Sequence, residues 1–394
     1  MLRNGRRLLA ALSWLLLIGS VEVLENGLAR TPPMGWMSWG YYMCSVDCVK
    51  SPHKCLNEAL VMSVVDAFFT EGYQEAGYEY IIIDDCWSEH ERDSEGNLVP
   101  DRKRFPRGMK FLADYIHSRG LKFGLYTCIG SVTCMGYPGS QWFLEEDAQQ
   151  FAEWEVDYIK VDGCFVTRIL NRPAYIRLGS YLNATNRPMV YSCSWPFYSE
   201  FTHNTAFNYS KSASICNLGR NFNDVVFKWS SVLNIIRYYE IRYEDLKGTH
   251  GPGYWHDPDM LVLGTKALTE GESRVQMAVY SMLSAPMLIS CPMGDITPYE
   301  KKLLQNLDLI AIAQDPLGIM ATPHKLSNTV TLWVKRHQPM RGDIYHSVSF
   351  AAVNIGDRST YVKFRPASYG LDYESYTVYV SRLCVFPSNI PFRG

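Results

Sequence analysis

Between Leu24 and Pro316 the chain repeatedly alternates short apolar runs, rich in β-branched and aromatic residues, with stretches of helical periodicity. Alternation of this kind builds βα units, and βα units build a parallel sheet. Leu60, Val64 and Phe68 fall on one helical face, Gly72 stops that helix, and Tyr80 to Asp84 follows as a buried strand. Leu112, Tyr115 and Ile116 precede the Gly120 stop and a strand from Lys122 to Tyr126. Phe151 and Trp154 precede Asp157 to Val161, and Ile176 and Tyr181 precede Met189 to Ser192. Ile215 to Arg220 leads into a helix carrying Trp229, Val232, Ile235 and Ile236, and a helix from Val275 to Leu283 leads into Pro286 to Ile289. With Met34 to Trp39 first and the stretch around Trp255 seventh, the strands number eight, and the expected fold is α/β, a closed (β/α)8 TIM barrel. An open doubly wound sheet shares this periodicity, but no glycine-rich phosphate loop opens any of the helices.

After Asp315-Pro316-Leu317-Gly318 the texture changes. Val330 to Lys335, Ser347 to Val353, Thr360 to Phe364 and Tyr376 to Val380 read as strands between turn residues. They predict a small C-terminal antiparallel β-sandwich domain over residues 317–394, behind a catalytic barrel over residues 24–316.

Catalytic groups of such barrels sit at the C-terminal ends of the strands. There this sequence places Asp84 and Asp85 (second strand), Tyr126 (third), Lys160 and Asp162 (fourth), and Ser194 and Trp195 (fifth). Arg220 and Asp224 follow the sixth, and Asp257 and Asp259 the seventh. Hard oxygen ligands for Mg²⁺ are one reading of Asp84, Asp162 and Asp259. Lys160, two residues from Asp162, and Arg220, four from Asp224, argue against it, because both cations oppose a metal and favour ionised carboxylates. Glycoside hydrolysis needs one ionised and one protonated carboxyl amid groups that hold sugar hydroxyls. Asp162 and Asp224 are the expected pair. A zinc site is disfavoured, since no CxxC pair or closely spaced Cys/His set occurs.

Charge excludes nucleic acid as a partner: the formal net charge is −2, and no Lys/Arg run lies beyond the first residues. At the N-terminus Arg3, Arg6 and Arg7 precede an apolar run from Leu8 to Ile18 and the small residues Gly19 and Ser20, the layout of a cleavable secretory signal over residues 1–23. Eleven residues are too few for stable membrane insertion. Behind such a signal, Asn183 and Asn208 head N-glycosylation sequons. The chain has 11 cysteines, which in an oxidising compartment implies disulfides and at least one thiol left over. Cys128, Cys291 and Cys384 have no evident partner.

From Leu24 onward the sequence resembles the lysosomal α-galactosidase and α-N-acetylgalactosaminidase family, glycoside hydrolase family 27. The resemblance is carried by Asn26-Gly27-Leu28-Ala29-Arg30-Thr31-Pro32-Pro33-Met34-Gly35-Trp36, Ile83-Asp84-Asp85-Cys86-Trp87, Lys160-Val161-Asp162-Gly163-Cys164, Ser192-Cys193-Ser194-Trp195-Pro196, Arg220-Asn221-Phe222-Asn223-Asp224 and Asp257-Pro258-Asp259-Met260-Leu261. It implies a retaining hydrolysis of terminal α-galactose-type glycans, with Asp162 as nucleophile, Asp224 as acid/base and no cofactor or metal. By position Asp84, Asp85, Lys160, Tyr126 and Asp259 would hold ring hydroxyls, Trp39 would line the pocket, and Arg220 would lie near the sugar's carbon 2. The family's bridges map onto Cys44 with Cys86, Cys48 with Cys55, Cys134 with Cys164, and Cys193 with Cys216. The resemblance also implies a homodimer in the lysosome or secreted, and an optimum on the acidic side.

Specificity turns on the group at carbon 2, which the loop after the fifth strand would face through Ser194, Phe197 and Tyr198. The galactosidase branch has Cys-Glu-Trp-Pro then Leu, and the acetamido branch Cys-Ser-Trp-Pro then Ala. This chain has Ser194 with Phe197. Segments Leu182 to Thr185 and Cys134 to Gly139 resemble the acetamido branch, so α-N-acetylgalactosaminidase is the first expectation and α-galactosidase the alternative. Gly219 departs from the pattern where the family has a tryptophan, and Cys128 where it has an acid. The chain also ends at Gly394, earlier than the family's usual end, which predicts a shortened β domain. Gly219, Phe197 and the short tail motivate a third possibility, a sugar-binding protein without activity.

Overall fold

The computed structural model describes residues 24–341 and 344–369. The signal-like segment, the strand expected from Tyr376 to Val380, and Cys384 lie outside them.

Eight short parallel strands form the barrel: β1 (Met34–Met37), β2 (Tyr80–Ile82), β3 (Lys122–Cys128), β4 (Tyr158–Asp162), β5 (Val190–Cys193), β6 (Leu218–Arg220), β7 (Trp255–Asp257) and β8 (Met287–Ile289). Each pairs with its sequence neighbour, and β8 returns to β1. Leu261, just past β7, bridges to Ile289 and donates its N–H to Leu288 at 2.8 Å, which closes the ring. Helices Glu58–Thr70, Gly108–Ser118, Leu144–Glu153, Arg168–Ala184, Trp229–Leu246 and Glu270–Leu283 surround it. Their starts follow local chemistry: Asn57 caps the Leu60 N–H at 2.8 Å, and Thr269 with Glu272 forms a capping box.

β1, β2 and β6 fall short of their expected spans, whereas β3 runs two residues past its expected end, to Cys128. Ladder pairing stops where side chains take over the backbone groups. At the rim the Asp84 N–H goes to Ser38 Oγ at 2.9 Å, so β1 ends at Met37 and β2 at Ile82, and Trp39 begins a one-turn helix (Trp39–Tyr42). Below β6, Asn217 spends its side chain on the Tyr191 N–H at 3.1 Å, and the strand begins only at Leu218.

After the barrel comes a three-stranded antiparallel sheet, β9 (Thr322–Lys325), β10 (Val330–Arg341) and β11 (Ile344–Asn354), with β10 central. The Thr360 to Phe364 run forms no strand. Phe364 instead meets Phe350, which also contacts Tyr369 in a 3-10 turn (Pro366–Tyr369), and this aromatic cluster takes the place of ladder pairing. β9 was not legible because it is four residues long and contains Pro323, a residue that only an edge strand tolerates. Trp333 of β10 is fully buried, and Lys335 Nζ donates to Ser281 O, Ser284 Oγ and Ile312 O on the barrel's helical layer.

All four expected disulfides are present: Cys44–Cys86, Cys48–Cys55, Cys134–Cys164 and Cys193–Cys216. Cys128 and Cys291 are unpaired and buried. Asn183 and Asn208 are both exposed. Among the described residues, no helix is long and apolar enough to cross a membrane.

Candidate active site

The C-terminal strand ends open into a cavity of about 250 Å³, the scale of a single small ligand. Asp162, the last residue of β4, borders it with both carboxylate oxygens engaged. Tyr126 of β3 donates its hydroxyl to Oδ2 at 2.9 Å, and Ser194, just past β5, donates to Oδ1 at 2.5 Å. Donors from two neighbouring strands thus fix the carboxylate's plane. Tyr126 and Tyr198 keep their protons, because burial raises both hydroxyl pKa values far above the ordinary range and Asp162 adds to the effect.

Lys160 alternates with Asp162 along β4 on the same face. It reaches Asp84 Oδ2 at 2.8 Å, with both side chains almost wholly buried. Burial alone would discharge Lys160, but Asp84 and Asp162 outweigh it and raise its pKa. For Asp84 burial prevails over Lys160, and its pKa rises.

Across the cavity Arg220, at the end of β6, divides its guanidinium between two carboxylates. It lies 2.8 Å from Asp224 and 3.0 Å from Asp259. Asp259 is buried, and a left-handed backbone (φ 76°) turns it back toward Arg220 and the Val225 N–H, which it accepts at 2.7 Å. Burial raises the Asp259 pKa despite Arg220. Asp224, by contrast, is 61% exposed at the mouth. Burial would push its carboxyl up, yet Arg220, Lys160 and a hydrogen bond from Trp39 together hold it below the usual carboxylate range. The resting site therefore keeps Asp224 ionised at neutral pH.

Of the predicted residues, Trp39, Asp84, Tyr126, Lys160, Asp162, Ser194, Phe197, Tyr198, Arg220 and Asp224 all border the cavity. Asp85 and Asp259 do not. Asp85, which the resemblance would place on sugar hydroxyls, has oxygens that accept the N–H groups of Cys86 at 2.7 Å and of Met135, in the loop after β3, at 3.1 Å. Burial first, with Asp84 adding to it, pushes its pKa up to about 6. Asp259 likewise stands behind Arg220 as a positioning group. Sequence reasoning missed Asn223 and the pocket-facing sulfur of Cys134. Asn223's place next to Asp224 was the available signal. The metal reading finds no support in the geometry: Asp84 and Asp259 are spent on Lys160 and Arg220, and among the described residues no group of three or more His, Cys, Asp or Glu side chains could hold an ion.

Residues 31–315 match the family described as Alpha galactosidase A (Melibiase_2). The chain belongs to this family, glycoside hydrolase family 27. It is 48% identical over 297 residues to an alpha-N-acetylgalactosaminidase of Gallus gallus, covering 75% of this chain and 73% of that protein. To alpha-galactosidase A of Homo sapiens it is 40% identical over 356 residues, covering 90% and 81%. Among solved structures, an α-galactosidase of Saccharomyces cerevisiae superimposes with a TM-score of 0.70 at 29% identity, covering 80% of this chain and 73% of that one.

The two departures from the family pattern now have physical readings. A Cβ on Gly219 would sit 2.1 Å from the Tyr254 hydroxyl, so the buried Tyr254 ring fills the space beside Arg220 where the family has a tryptophan. Cys128 pairs with Asp162 in the β3–β4 register, and its thiol accepts the Gly130 N–H at 3.3 Å. Burial raises that thiol's pKa, so it adds no charge beneath Asp162.

Proposed function

We propose that this protein is a retaining exo-α-glycosidase that hydrolyses terminal α-linked N-acetylgalactosamine, with galactose as the alternative sugar. The observation that carries the reading is the pairing across a sugar-sized cavity of Asp162, oriented by Tyr126 and Ser194, with a rim carboxyl, Asp224, governed by Arg220. Asp162 attacks the anomeric carbon while Asp224 protonates the departing oxygen. Asp224 then removes a proton from the water that releases the sugar. Lys160 and Asp84 hold ring hydroxyls, and Arg220 stands at the carbon 2 side.

The acetamido preference rests on the small Ser194 side chain and on the 48% identity with an enzyme of that name. Phe197 favours the galactose alternative only if its ring fills the acetamido space. Its ring borders the cavity and stacks on Phe201 with centroids 5.5 Å apart and edge-on to Tyr198 at 5.3 Å, contacts that support the acetamido reading by holding it to the wall. Residues 24–316 form the catalytic unit and residues 317–394 the β domain, in a homodimer that reaches the lysosome or the exterior behind an N-terminal signal.

The test is hydrolysis of nitrophenyl α-N-acetylgalactosaminide and nitrophenyl α-galactoside at acidic pH. The acetamido substrate should have the higher kcat/KM, and Asp162→Asn should lower turnover of both by roughly 10⁴-fold. A galactoside preference would assign the acetamido space to Phe197. Near-normal turnover by Asp162→Asn would remove Asp162 as nucleophile, and silence of the wild type on both would leave a sugar-binding protein.

A further inference from the structure

Phe197 borders the cavity and begins an aromatic ladder that leads out of it. Its ring stacks on Phe201 at 5.5 Å and 24°. Phe201 meets Phe222 edge-on at 5.6 Å, and Phe222 stacks at 4.5 Å and 20° on Tyr238, a buried residue of the helix Trp229–Leu246. The first two rings lie one turn apart, where the chain passes from Trp195–Phe197 into a π-helical turn, Tyr198–Thr202. Such turns recur at functional sites.

The ladder is anchored at its far end, yet Phe201 remains 44% exposed. Phe222 stands two residues before Asp224, and the half-exposed Val226 stands two after it. The apolar surface therefore borders the carboxyl that would protonate the leaving oxygen, on the side where a leaving group must sit. Polar recognition is weak along it. Glu200, next to Phe201, is bound to Arg242 at 3.0 Å and to the Tyr209 hydroxyl at 3.1 Å, and the Tyr238 hydroxyl lies 3.4 Å from Tyr209.

We propose that Phe201, with Phe197 and Phe222, forms an aglycone subsite that accepts an apolar leaving group, a hydrocarbon chain or an aromatic ring. The inference rests on the glycosidase reading, because Asp224 as the acid defines the leaving-group side. Continuity with the cavity through Phe197 makes it part of substrate recognition, and the rigid stack exposes a flat face at small ordering cost.

The test compares methyl and hexyl α-N-acetylgalactosaminide. With the departing oxygen protonated, both leave as primary alcohols of similar acidity, so their kcat/KM ratio reports binding of the chain. The wild type should favour the hexyl glycoside about tenfold, mainly through KM. Phe201→Ala should cut that preference to roughly twofold, and Phe201→Leu should restore most of it. Equal kcat/KM in the wild type, or a ratio that survives Phe201→Ala, would overturn the subsite. A disaccharide substrate that loses as much as the hexyl glycoside on Phe201→Ala would overturn its apolar character. If neither alkyl glycoside is hydrolysed, the glycosidase reading fails, and the same ratios measured as Kd by calorimetry decide the subsite separately.

Discussion

Lys160 and Lys335 are both buried ammonium groups, and their surroundings drive them to opposite states. Lys160 lies at the catalytic rim with a carboxylate, Asp84, at 2.8 Å, and its pKa is raised. Lys335 lies between the sheet and the barrel with neutral acceptors: Ser284 Oγ and Ile312 O at 2.5 Å and Ser281 O at 3.2 Å. Those carbonyls belong to the last turns of helices Glu270–Leu283 and Leu307–Ala313, whose dipoles favour a cation. Dipoles do not replace a full charge. Burial lowers the Lys335 pKa to about 7 despite an attraction from Asp315. One region spends its buried charges on chemistry and must pair them, whereas the other uses a charge to close helix ends.

Breaking each cation tests that division. Lys160→Met leaves Asp84 buried without its counter-charge, which should cost about 3–5 kcal/mol of stability where Asp84 stays ionised. If Lys160 holds a ring hydroxyl as proposed, the substitution should also lower kcat/KM by roughly 10²–10³-fold. Lys335→Met leaves three acceptors without their donor and should cost about 1–3 kcal/mol with kcat/KM within about twofold of wild type. Denaturant unfolding beside the nitrophenyl assay separates the two. Equal losses of activity would show that the sheet junction is coupled to the catalytic rim.

Arg220 offers a second contrast, because it serves a buried and an exposed carboxyl at once. Asp259 is raised by burial, while Asp224 at the mouth is lowered. If Asp224 is the acid proposed above, it works only when protonated, so a lowered pKa moves the alkaline limb of the kcat/KM profile toward acid. Activity should accordingly fall on leaving the acidic range. Arg220→Gln should move that limb upward by about one pH unit while lowering the maximum. A limb that stays in place would mean that Arg220 does not set the acid's protonation, and Lys160 and the Trp39 hydrogen bond would be left to do so.

What the sequence showed and what it hid divide along the same physical line. Barrel order and the strand-end positions of Asp162 and Asp224 were legible because periodicity and motif spacing are local records, whereas the four bridges came only from the family resemblance. Eight apolar runs each ending in polar residues leave little choice of topology. Strand ends were misjudged where a side chain such as Ser38 or Asn217 takes over a backbone partner, since nothing local marks that exchange. Asp85 was placed on the sugar by its position in the family motif, and nothing local marks that one of its oxygens also accepts the Met135 N–H from the loop after β3. Burial of Lys335 was not readable at all. Its partners lie in helices more than 20 residues away, and a lysine in a strand run reads as an outward-facing residue.

The smallest effect concerns Lys335 and pH. Its pKa of about 7 in the fold lies below the ordinary 10.5, so between those values the unfolded chain binds more protons, and stability should rise with pH across that window. Below about 7 the lysine is charged in both states, and its contribution no longer varies. The groups facing it are Asp315, His337 and His250. Burial lowers the pKa of His337 to about 4 and that of His250 well below the usual value. For both histidines the unfolded state again binds more protons, so stability should fall as pH drops below about 6.5; Lys335 adds to both depressions, so the loss should persist but be smaller in Lys335→Met. Unfolding free energies at intervals from pH 5 to pH 10 would therefore show an acid limb in both proteins, shallower in the variant, and, above about 7, a rise only in the wild type. Parallel curves across the whole range would mean that helix-end carbonyls hold Lys335 charged as firmly as Asp84 holds Lys160, and the contrast between the two regions would lose its electrostatic basis.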